Sequence, residues 1–189
     1  SIGLESGTAA VALITEPGSA DDSWWPGYLA GAAWSPDGAK VAFAYTGPED
    51  PYQLRVASSS GESNPVIVYS ALRDGFPPSA LARMEPVSFK SIDGTPIPAI
   101  LLTPRHLDRT GKHPALIHHY GGWGQMARLG WSLGGAKPRL FQYLVSKGYV
   151  VLIVDPRGSD GYGAEYAHGL YLDGGGRQAD DLAAAARYL

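Results

Sequence analysis

Gly130-Trp-Ser132-Leu-Gly134 fits the Gly-x-Ser-x-Gly pattern of a hydrolytic serine. That chemistry needs a buried strand immediately before the serine and a helix immediately after it, so that the hydroxyl stands exposed on a sharp turn. The ten residues from Gly121 to Gly130 hold four glycines with Gln125 and Arg128, so no buried strand leads in. The next helix starts only near Lys137, where Pro138 suits a first helical turn. Ser132 is therefore read as a decoy. Tyr120 is the stronger candidate. It closes the apolar run Pro114-Ala-Leu-Ile-His-His-Tyr120 and is followed by Gly121 and Gly122, which let a backbone turn closely past a ligand. Open α/β sheets place their sites at this C-terminal end of a parallel strand. The plainer alternative is an aromatic core residue at a strand end.

Other chemistry-bearing residues read as structural. His118 and His119 are adjacent on a strand, so they face opposite sides and cannot line one site together. Arg157 is expected to order the Gly-Ser-Asp-Gly loop around it through its guanidinium fork. Gly174-Gly-Gly176 lacks the Lys-Ser/Thr of a phosphate loop. Asp50, Asp155 and Asp173 show no metal-ligand spacing. The absence of cysteine removes thiol nucleophiles, disulfides and Cys-based zinc sites.

The elements that must hold these residues fall into two blocks. Up to about residue 80 the chain reads as an antiparallel meander, with strands at Ala10-Val-Ala-Leu-Ile14, Lys40 to Tyr45, Gln53 to Ala57 and Val66 to Tyr69. Pro36-Asp37-Gly38 supplies one turn and Ser58-Ser-Ser-Gly-Glu62 another. Gly75-Phe-Pro-Pro-Ser79 punctuates the boundary. In the second block, residues 81–189, Asp93-Gly94-Thr95 joins a hairpin of Pro86 to Ser91 and Ile97 to Leu102, and Pro98 argues that the second strand lies at an edge. A strand to Tyr120 and a helix from Lys137 to Lys147, stopped by Gly148, come next. Tyr149-Val-Val-Leu-Ile-Val154 then reads as a strand buried on both faces. A last helix, Arg177 to Leu189, is expected to turn Ala179, Leu182, Ala183, Ala186 and Leu189 inward, with Asp180 and Asp181 favouring its first turns.

The 189 residues, 44% hydrophobic and 17% charged, suit an ordinary globular protein. A net charge of −3 gives no reason to expect nucleic acid or an anionic membrane surface as partner. No apolar run reaches the roughly 20 residues that span a bilayer. The compartment stays open, as does a homo-oligomer.

Trp34-Ser-Pro-Asp-Gly38, Tyr120-Gly-Gly-Trp123 and Val154-Asp-Pro-Arg-Gly-Ser-Asp-Gly-Tyr-Gly163, in this order, resemble the prolyl oligopeptidase family of serine peptidases, with its dipeptidyl peptidase IV and acylaminoacyl peptidase branches. The resemblance implies an α/β fold, in which residues 1–80 are the last blade or blades of a β-propeller and residues 81–189 the N-terminal half of an α/β-hydrolase domain. It implies a chain cut at both ends, with the Ser-Asp-His triad beyond Leu189 and the fragment alone inactive. It gives the Tyr120 hydroxyl to the oxyanion, and no metal or organic cofactor. The substrate would be a short peptide, with dipeptidyl, acylaminoacyl and endopeptidase preference all open. Two rivals remain: an esterase or lipase that uses Ser132, and a propeller-bearing binding protein without catalysis.

Overall fold

The computed structural model describes residues 28–47, 51–61, 63–119 and 138–189. These divide between Pro78 and Ser79 into two compact units. The expected strand at Ala10 to Ile14 lies outside the described residues.

The first unit holds a four-stranded antiparallel sheet in chain order: β1 (Tyr28–Trp34), β2 (Lys40–Thr46), β3 (Gln53–Ser58) and β4 (Val66–Ser70). The β1–β2 turn is built by its own side chains. Asp37 Oδ1 accepts from Ser35 Oγ at 2.6 Å and from the Ala39 N–H at 3.0 Å, and Gly38 takes a φ of 69°. The Ser35 hydrogen bond, above all, lowers the Asp37 pKa. The period of two is visible in β2, where Val41, Phe43 and Tyr45 are buried and cluster with Ala57 of β3. On the same face the Arg55 guanidinium lies 3.6 Å over the Tyr45 ring while its Nε donates to Gln53 Oε1. β4 differs: all five of its residues are exposed.

The second unit carries β5 (Arg83–Lys90), β6 (Pro96–Thr103), β7 (Ala115–His118), α1 (Pro138–Ser146), β8 (Val150–Val154), the one-turn α2 (Ala164–Ala167) and α3 (Gly176–Tyr188). Its sheet has the order β5-β6-β8-β7. β6 runs antiparallel to both β5 and β8, whereas β7 and β8 are parallel and joined through α1. Every residue of β8 is buried, because helices cover both of its faces. Leu152 and Val154 cluster with Ala184 and Ala185 of α3. On the other face, His118 of β7 packs against Phe141 of α1, ring centroids 5.0 Å apart. Pro138 opens α1, and Gly148 closes it at a φ of 87°. The Gly148 and Tyr149 N–H groups reach back to the Val145 and Leu144 carbonyls, a Schellman closure.

Two expectations need correcting. Pro98 lies on an interior strand, between β5 and β8, and not at an edge. Its carbonyl accepts the Asp155 N–H at 3.1 Å, just past the end of β8. The N–H that proline lacks would have faced the Asp155 carbonyl, and the Tyr166 hydroxyl donates there instead, at 2.7 Å. The buried face of α3 is also rotated from the expected one. Asp181, Ala184 and Ala185 are buried, while Ala179, Ala183, Ala186 and Leu189 are exposed and Leu182 is half-buried. A carboxylate, drawn inward by Arg157, sets the phase of the helix.

Candidate active site

β7 and β8 end at one edge of the sheet, and antiparallel pairing brings the β5–β6 turn to the same edge, since Ala99 of β6 stands opposite Val154. The loop that leaves β8, Asp155 to Gly163, crosses this edge. Its first residue is fully buried. Tyr162 Oη donates to Asp155 Oδ2 at 2.7 Å, and the Tyr162 and Tyr166 rings meet edge to face with centroids 5.2 Å apart. Burial, followed by the charges of Asp181 and Asp155, pushes the Tyr166 phenol well above the usual tyrosine range. The Tyr166 hydroxyl donates to the Asp155 carbonyl at 2.7 Å. Gly158 turns the loop at a φ of 95°, with its N–H on the Tyr166 carbonyl at 2.9 Å.

Arg157 lies at the centre of the edge. Its Nε and Nη2 fork onto Asp181 Oδ2 and Oδ1 at 3.1 and 2.7 Å, and its own N–H reaches Oδ2 at 3.0 Å. Gln178, also on α3, donates its amide to the Arg157 carbonyl at 3.0 Å. The guanidinium extends to the β5–β6 turn, where Nη1 pairs with Asp93 Oδ2 and Nη2 lies 3.3 Å from Ser91 Oγ. Ser91 in turn donates to Asp181 Oδ1 at 2.5 Å. Asp181 is fully buried and accepts from four donors, which is what makes a charge in such a place tolerable. Its hydrogen bond, above all, raises the Arg157 pKa further above the usual arginine range. Asp93 is lowered to about 2, first by the Thr95 N–H and side chain and then by Arg157.

Of the residues singled out from sequence, Tyr120, Gly121, Gly122 and Ser132 lie outside the described residues. His118 is half-buried against Phe141, and His119 follows just past the end of β7. Asp173 and the glycines after it form a helix cap: Asp173 Oδ1 and Oδ2 accept the Gly176 and Arg177 N–H groups at 3.0 and 3.1 Å. The chain's own carboxylate thereby occupies the start of α3. Sequence reading missed Asp181 and Ser91 as partners of Arg157. The one available signal was an acidic pair inside an otherwise apolar helical stretch. Among the described residues no group of three or more His, Asp or Glu is arranged to hold a metal ion.

Residues 136–189, which include α1, β8, the Asp155–Gly163 loop and α3, match the model of the prolyl oligopeptidase family. Over these residues the chain is similar to the prolyl oligopeptidase family. It is 31% identical over 98 residues to Uncharacterized peptidase YuxL of Bacillus subtilis, covering 52% of this chain and 14% of that protein. Among solved structures it is similar to a prolyl endopeptidase, with a TM-score of 0.67 and 25% identity over 93% of this chain and 24% of the other. A puromycin hydrolase crystallised with PGG shares the fold, with a TM-score of 0.70 and 22% identity over 90% of this chain and 25% of that one. The chain therefore spans a quarter or less of the length of these relatives. Among the described residues, no helix is long and apolar enough to cross a membrane.

Proposed function

We propose that this chain is part of a serine peptidase that cleaves short peptides. In this reading residues 1–80 contribute propeller blade and residues 81–189 the first half of the α/β-hydrolase domain. A Ser-Asp-His triad from sequence beyond Leu189 attacks the peptide carbonyl, and the Tyr120 hydroxyl donates to the oxyanion that forms. A fixed donor of this kind contributes about 3 kcal/mol, or about 10²–10³ in kcat. The observation that carries the reading is the family match, which covers α1, β8, the loop that leaves it and α3. The peptidases among the relatives, and the peptide in one neighbouring structure, favour a peptide substrate.

The test is hydrolysis of dipeptidyl and N-acylaminoacyl nitroanilides by the full-length protein that contains this sequence. Turnover is expected, with Tyr120→Phe lowering kcat about 10²–10³-fold and changing KM little. Ser132→Ala should leave kcat and KM as they are, and the 189-residue chain alone should be inert. Turnover by the 189-residue chain, abolished by Ser132→Ala, would replace this reading with a Ser132 esterase.

A further inference from the structure

We propose that Arg157, Asp181, Ser91 and Asp93 act as a positioning cluster, which sets the register of α3 against the C-terminal edge of the sheet, and that turnover depends on that register. The proposal rests on the peptidase reading, in which the nucleophile follows α3 in the chain.

The apolar hold on α3 is modest. The helix buries Ala184 and Ala185, and Leu182 in part, against Leu152, Val154 and their neighbours, and at its far end Tyr188 stacks on Phe89 of β5 with centroids 5.4 Å apart. Contacts between small side chains are non-directional. At the end of α3 nearest the sheet edge, direction comes from hydrogen bonds. Asp181 and Gln178, three residues apart on one helix face, grip Arg157 by its N–H, its carbonyl and its guanidinium. Ser91 and Asp93 fasten the same guanidinium to the β5–β6 turn. One side chain thus ties together three segments: the loop after β8, α3 and the β5–β6 turn. A buried ion pair is a poor source of stability compared with a well-packed apolar group, and its best-attested use is to fix registry. The fork is also specific to arginine, since a lysine ammonium is a point donor that cannot meet both Asp181 oxygens and the turn together.

The decisive experiment compares wild type, Arg157→Lys and Ser91→Ala in the full-length protein. Three quantities are read per folded molecule: kcat and KM for a dipeptidyl nitroanilide, the rate of covalent labelling by a fluorophosphonate probe, and the thermal midpoint. Misplacing a reacting group by about 1 Å can cost about 10²-fold in rate. Arg157→Lys is accordingly expected to lower kcat and labelling rate about tenfold or more with KM unchanged, and Ser91→Ala to shift both in the same direction by less. Variants that lose thermal stability but keep wild-type kcat and labelling would overturn the proposal, because the cluster would then be structural alone. Should Arg157→Lys not fold, Ser91→Ala decides by the same readouts. A wild type that neither hydrolyses nor labels sinks the peptidase reading and this proposal together, whereas an active wild type with indifferent variants sinks only the cluster.

Discussion

Asp93 does two jobs with its two oxygens. Oδ1 accepts the Thr95 N–H at 3.0 Å and shapes the hairpin turn, and Oδ2 faces Arg157. Its carboxyl sits at about 2, against an ordinary 3.8, so the folded state favours the ionised form. The stabilisation is fully present above pH ~4 and is lost as the pH falls through 3.8 towards about 2. Asp93→Asn should lower stability at neutral pH, and its deficit relative to wild type should shrink over that acid window. Urea unfolding at a series of pH values checks this. A deficit that stayed constant down to pH 2 would show that the charge is not the cause. The turn role was legible in Asp93-Gly-Thr, because it is local. The partnership with Arg157 was not, since it links residues 64 apart through a fold that no local pattern encodes. Arg157 itself was legible as an organiser of its loop, and only its partners were missing.

At the scale of elements, the loop after β8 depends on glycines for two separable reasons. A Cβ on Gly158 would sit 2.4 and 2.5 Å from two Leu170 side-chain atoms, at a φ of 95°. Gly163 has a similar φ of 94° but nothing within 4 Å. Gly163→Ala should therefore cost only the backbone strain, about 1–3 kcal/mol. Gly158→Ala should add overpacking, for a total of about 2–5 kcal/mol. Thermal or chemical unfolding of the two variants reads the difference, and equal losses would mean that Leu170 yields freely. Strand and helix positions were legible wherever apolar period and punctuation agreed, as in β8, α1 and the β5–β6 hairpin. The errors arose where a polar contact overrode the pattern. Asp181 turned the face of α3 because its partner was buried, and Tyr166 supplied the donor that let Pro98 sit inside the sheet. The proposed oxyanion residue, Tyr120, was singled out from its place at a strand end and falls outside the described residues.

At the scale of the whole molecule, the two sheets differ in how well they are covered. β8 has no exposed residue, while Val66, Ile67, Val68 and Tyr69 of β4 are each more than half exposed. Among the described residues β4 pairs only with β3, so it offers an apolar strand with an open edge. Val68→Lys should change the stability of the chain by less than about 0.5 kcal/mol, yet reduce any self-association that runs through this edge. Sedimentation over a range of concentrations measures the latter, and unchanged association would clear β4 as the adhesive surface. The order of the second sheet carries a consequence in time. β5 and β6 can pair as soon as both have been made, but among the described residues β7 pairs only with β8, which is synthesised after it. At ~5–20 residues per second a ribosome needs roughly two to seven seconds to go from the end of β7 to the end of β8. Throughout that interval Ala115 to His118 waits for its β8 partner, and a chaperone that recognises nascent apolar segments has its window there.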